Sequence, residues 1–139
     1  MELMIAVVVA GILAAVAYPN LTSMIKRSRR ADAIAGLTAI MQAQERYRSN
    51  HPTYTDTVTT VVPNVDIAYK HYDFALTPGE GGYAAGYTVT ATPKSTSTQA
   101  TDNDCATLGV KLQGSMFSYL ATKSDGTDNA EVVKHCWSR

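Results

Sequence analysis

From Leu3 to Ile25 the chain runs 23 residues without a charge, and from Met4 to Ala17 every residue is apolar or glycine. No other feature restricts the fold as much. Coiled as an α-helix at about 1.5 Å per residue, the stretch reaches about 35 Å, against a bilayer hydrocarbon core of about 30 Å. It has no polar stripe, so it must be covered on all sides by lipid or by protein. The order of charges argues against a cleaved signal peptide. Glu2 comes first and Lys26, Arg27, Arg29 and Arg30 come last, whereas a signal peptide opens on bases and closes on a small-residue cleavage site. A plain membrane anchor is the simplest alternative.

Three segments follow from composition: an apolar half-helix over 1–25, an amphipathic continuation over 26–50, and a β-rich head over 51–139. In the second, Ile34, Leu37, Met41 and Gln44 recur at helical spacing, with Ile40 and Tyr47 beside them. Alanines at 31, 33, 35, 39 and 43 favour the helix. It should end near Asn50, because Pro52 disfavours helix at the residue before it. Net charge is zero over the whole chain, which argues against a nucleic-acid binder that works by bulk charge. The balance is uneven: 26–50 carries six bases against two acids, and 51–139 six bases against nine acids.

Within the head, His71–Thr77 and Tyr83–Thr92 alternate as strands around the turn Pro78–Gly82. Thr107–Gln113 and Ser115–Thr122 predict two more across Gly114, and Pro93–Asp104 reads as polar loop. The expected fold class is α+β: a long N-terminal helix packed on a three- to four-stranded antiparallel sheet, with a C-terminal loop closed by a disulfide. So small a sheet needs a covered face, and the helix over 31–48 is the available cover.

Cys105 and Cys136 are the only cysteines, without CxxC spacing or an adjacent histidine pair, so a zinc ribbon is excluded. In the cytosol they would be two buried thiols; in an oxidising compartment they would pair. A membrane segment leading to a polar head favours export, and therefore the bond. His51, His71 and His135 are scattered and form no catalytic constellation, so neither an enzyme nor a cofactor is expected. Asp125, Asp128 and Glu131 place oxygen ligands in one turn and make a weak calcium candidate, but their spacing departs from the EF-hand.

Two positions in the apolar run weaken its helix. Pro19 cannot donate to the carbonyl of Ala15, and Gly11 is the poorest helix former nearby. The span Gly11–Pro19 is therefore where the helix should kink or unwind, a step costly in lipid and cheaper inside a protein bundle. Glu2 is a carboxylate at the edge of an apolar run with no base within 23 residues. It needs a partner from another chain, a terminal amine, or headgroup water.

The stretch Glu2-Leu-Met-Ile-Ala-Val-Val-Val-Ala-Gly11-Ile-Leu-Ala-Ala-Val-Ala-Tyr-Pro19 resembles the N-terminal segment of type IV pilins, and Lys26–Ala33 is similar to the continuation of that helix in proteobacterial pilins. Cys105 and Cys136 resemble the pair that bounds the pilin C-terminal loop. The resemblance implies a structural subunit that polymerises into helical pilus filaments for attachment and twitching motility. It also implies Glu2 in subunit docking, Gly11 and Pro19 in helix melting, an N-methylated first residue, and assembly machinery as partner. The chain would sit in a bacterial inner membrane before assembly and in the extracellular filament afterwards, with no nucleic-acid partner demanded. Gly11 and Pro19 keep the family spacing to Glu2, so about three residues and a leader are expected to be missing ahead of it. Two rivals remain: a pseudopilin of a type II secretion system, and a monomeric membrane-anchored periplasmic binding domain.

Overall fold

A computed structural model describes residues 2–138, apart from the side chains of Glu2, Val16 and Pro19. Helix α1 runs unbroken from Glu2 to Arg48, with Arg46 and Arg48 in its last turn, where cations offset the helix dipole. Two short helices follow, α2 (Val58–Val61) and α3 (Val65–Ala68). Strands β1 (Tyr72–Pro78), β2 (Gly86–Pro93), β3 (Thr107–Gln113) and β4 (Met116–Thr122) form one antiparallel sheet in chain order, and helix α4 (Ala130–Trp137) closes the fold.

The sheet and the helix over 31–48 are as the sequence predicts, with three corrections. Tyr83–Ala85 belongs to a turn and not to β2: Gly81 and Gly82 take φ of 89° and 78°, and Gly82–Ala84 coils as a 3-10 turn. The expected polar loop over Pro93–Asp104 holds two 3-10 turns, Thr98–Thr101 and Asn103–Cys105, with Gln99 and Asp102 buried. The C-terminal segment is not all loop. After the exposed turn at 123–129, Asn129 caps α4 by accepting from the Val132 N–H, and α4 packs on β4.

Register builds the core. Tyr87, Val89 and Ala91 of β2 lie opposite Leu112, Val110 and Leu108 of β3, on the face turned toward α1. From α1 come Ala33, Leu37, Ile40 and Gln44, an i, i+4, i+7, i+11 stripe. Leu37 and Gln44 of the expected Ile34–Leu37–Met41–Gln44 stripe are buried, while Ala33 and the flanking Ile40 take the buried places of Ile34 and Met41, which are only partly buried. Buried Gln44 is satisfied as a strand residue would be: its amide donates to Thr55 O at 2.9 Å and accepts from Thr55 N at 3.1 Å. The segment after α1 is thereby drawn back onto the core. Gly36 of α1 leaves room for β1, because a Cβ there would collide with the Phe74 ring. The Cys105–Cys136 disulfide is present, with a Cα–Cα distance of 5.8 Å and both residues buried. It ties α4 to the start of β3.

Candidate functional site

Two surfaces of α1 carry functional weight. The first is its N-terminal half. Leu3, Met4, Ile5, Val7, Val8, Ile12, Leu13, Tyr18, Leu21 and Met24 are all exposed, Leu3 at 80% and Leu13 at 65%. The described side chains from Leu3 to Leu21 are all exposed, and the first α1 residue in the buried core is Ala33. About 35 Å of apolar helix therefore projects from a folded head, long enough to cross a membrane by length and composition. Exposure on this scale, far beyond scattered surface leucines, marks a segment whose partner is another molecule.

The second surface lies where the apolar half meets the head. The basic run does not face solvent as a patch, as three of its four bases are spent on the loop before β3. Lys26 Nζ donates to Thr101 O at 2.8 Å, and Arg29 donates to Thr98 Oγ1. Arg30 grips Asp102 with both arms of its guanidinium, Nε to Oδ2 at 2.6 Å and an Nη to Oδ1 at 2.8 Å. Asp102 is 3% exposed and the Arg30 side chain 12%. Gln99, fully buried, donates to the same carboxylate at 2.8 Å and to Lys26 O. Ser97 Oγ accepts from Gln99 N and meets His71 Nδ1 at 3.0 Å. Burial first, then the Arg29 and Lys70 charges, hold the His71 imidazole below its usual value. Burial and the Asp102 carboxylate push the Tyr72 phenol well above its usual range, so it stays neutral. The loop 97–102 thus clamps α1 one turn past its apolar half. Sequence reasoning missed the clamp, because Gln99 and Asp102 sit in a stretch of polar composition and only their burial reveals them.

The other sequence-predicted positions fall as follows. Gly11 and Pro19 lie within the unbroken α1 of the isolated chain. The Glu2 carboxylate and the whole of Met1 lie outside the described residues. Asp125 Oδ1 accepts from Thr127 N at 2.9 Å, which lowers its carboxyl pKa, and Glu131 stands on α4 beside Lys123 and His135. Asp125, Asp128 and Glu131 do not converge, and among the described residues no group of three acidic, histidine or cysteine side chains is placed to hold a metal. His51 stacks on Tyr47 with ring centroids 3.8 Å apart, His71 meets Ser97, and His135 lies along the α4 surface.

An apolar half-helix that leads, through a clamped junction, into a helix-on-sheet head with a C-terminal disulfide defines a pilin-type subunit. Residues 19–109 match the sequence profile of a family described as type IV minor pilin ComP, DNA uptake sequence receptor, and the chain belongs to that family. The match runs from Pro19 of α1 to Gly109 of β3 and so includes every member of the clamp. No curated protein sequence matches the chain. The family is structural in character.

Proposed function

We propose that this chain is a structural subunit of a type IV pilus, held in the bacterial inner membrane by its apolar half-helix and then packed through that half into the filament core. One observation carries the reading: every described side chain of the apolar helix from Leu3 to Leu21 is exposed in the isolated chain. Contacts made by one helix face of each copy with a different face of the next are heterologous, and such contacts propagate into an open helical polymer. In this account the Glu2 carboxylate pairs with a positive group near the N-terminus of a neighbouring subunit, and Gly11–Pro19 unwinds on packing. The family assignment to minor pilins favours the pilus over a secretion-system pseudopilin. Fibres sheared from cells and analysed by mass spectrometry test the proposal. Peptides of this chain should be found in the fibre fraction, and their confinement to the membrane fraction would leave the monomeric anchor standing.

The family description supplies a second reading, that of a receptor for DNA. A specific cluster favours it: at the end of α1, Tyr47 stacks on His51, Arg48 lies 5.7 Å from the Tyr54 ring centroid, and Arg46 is exposed. Rings and guanidinium groups together suit bases and phosphates. The acidic excess over 51–139 means that binding would rest on these local contacts and not on overall charge. A titration with duplex DNA at several salt concentrations tests it. Replacing Arg46 and Arg48 by Ala should weaken binding and lower the salt slope by about 2; an unchanged slope would remove the cluster from the account.

A further inference from the structure

Beside the loop 97–102, the end of the uncharged run of α1 and the start of its basic run share one cleft of about 430 Å³. One wall is Tyr18, Thr22 and Ile25, continued by Lys26 and Arg29; the other is Thr98 and Thr101. No carboxylate is among its lining residues, and Asp32, one turn past Arg29, lies outside it. The groove at the same level between α1 and α4 differs in sign: it holds Arg27 and Arg30 together with Asp104, and Arg30 is already paired with Asp102. Lys26 and Arg29 keep their charge, because Lys26 Nζ donates to the Thr101 carbonyl and Arg29 to Thr98 Oγ1, both neutral acceptors. An ammonium has three N–H groups and a guanidinium five. These bonds therefore fix where the two cations stand and leave donors on each for a further acceptor.

We propose that this cleft is a headgroup site for an anionic phospholipid, with the phosphate between Lys26 and Arg29 and the start of the acyl chains along Tyr18 and Ile25. The inference rests on the reading of α1 as a helix held in a membrane before assembly. With Leu3–Ile25 across the bilayer, Tyr18 lies about 10 Å inward of Ile25 along the helix axis, in the interfacial zone where tyrosine collects. Lys26 and Arg29 then stand at the headgroup layer, where cations attract anionic lipid. Zwitterionic lipids share the phosphate, but their ammonium calls for an acid, and the cleft offers none. The selectivity is therefore for a headgroup of net negative charge. A lipid so held fixes the depth at which the subunit sits, with the clamp of loop 97–102 resting on the membrane surface.

The test uses the full chain with vesicles of phosphatidylcholine, alone or mixed with phosphatidylglycerol, and flotation is its first readout. Flotation with both supports the membrane reading; failure to float with either would bring down that reading, and this proposal with it. The second readout is the lipid retained by the chain, measured by native mass spectrometry after release from nanodiscs that hold the two lipids in equal amounts. Phosphatidylglycerol should be retained well above phosphatidylcholine. Each base near an anionic surface is worth roughly a fivefold change, so Lys26→Gln with Arg29→Gln should reduce the preference roughly 25-fold. The charge-preserving pair Lys26→Arg with Arg29→Lys should retain it. Thr101→Glu places a carboxylate at an exposed position and keeps the carbonyl that Lys26 uses; it should abolish the preference while the head still melts as the parent does. Arg27→Gln, outside the cleft, should leave the preference near the parent value. Equal retention of the two lipids by a chain that floats would overturn this proposal alone. So would a loss in Arg27→Gln as large as that for each cleft base, a preference that survives Thr101→Glu, or displacement of the lipid by inorganic phosphate, which would assign the cleft to a free anion.

Discussion

Asp102 is the residue on which the junction between helix and head turns. Its carboxylate accepts from both arms of Arg30 and from Gln99 while almost fully buried. Removing one partner of such a pair strands the other charge away from water, at about 3–5 kcal/mol. Asp102→Ala should therefore lower the stability of the chain by that order in a denaturant melt. Combining it with Arg30→Met should recover a large part of the loss, because no buried charge is then left alone. Additive losses in the double variant would refute the clamp. His71 gives the junction a pH dependence. Its pKa in the folded chain lies below the free value of 6.5, so the unfolded chain binds the extra proton first. Stability contributed there is complete above about 6.5 and declines as pH falls below it. Denaturation midpoints measured from neutral to mildly acidic pH should fall, and His71→Gln should flatten that part of the curve. Glu2 belongs to the same scale but acts between chains. Glu2→Ala should reduce the recovery of this chain in sheared fibres while the Cys105–Cys136 bond still forms; normal recovery would remove Glu2 from docking.

At the scale of elements, α1 was the most legible and the most instructive. Its length, its unbroken apolar half and its end near Asn50 follow from composition and from Pro52. Leu37 and Gln44 are buried as the spacing predicts, while Ala33 and Ile40 replace the partly buried Ile34 and Met41. Periodicity weights large side chains and is blind to a contact that small ones permit. Gly36→Ala should cost about 1–3 kcal/mol, the usual penalty for overpacking, since the added methyl meets the Phe74 ring. The strands were legible from alternation, and the start of β2 was not, because the Gly81–Gly82 turn extends into an apparently alternating run. Helix α4 was illegible: eight residues with two buried side chains, Val132 and Cys136, give too weak a pattern in a polar segment. Its hold on the sheet comes from the disulfide and from Trp137 Nε1, which donates to Leu120 O at 3.0 Å. Opening the bond with paired serines should cost about 2–4 kcal/mol and should raise amide exchange first in α4. Protection there equal to the parent chain would contradict that role.

The whole molecule is an apolar rod joined to a polar head, and the charges sort with it. Six bases against two acids lie over 26–50, and six against nine over 51–139. Of the bases near the junction Arg30 is paired with a carboxylate, that of Asp102, while Lys26 and Arg29 keep their charge on the neutral acceptors Thr101 O and Thr98 Oγ1. A polymer of such subunits has its rods inside, away from water, and its heads outside. In the proposed filament the exposed side chains of the rod from Leu3 to Leu21 would be covered by other copies of the helix. The most direct measurement is side-chain accessibility in detergent-free sheared fibres, with a water-soluble maleimide as probe. Leu13→Cys, exposed at 65% in the isolated chain, is compared with Ser124→Cys in the exposed turn before α4. The account predicts rapid labelling at Ser124→Cys and labelling at Leu13→Cys only after the fibres are dissociated. Equal labelling of the two sites in intact fibres would contradict it.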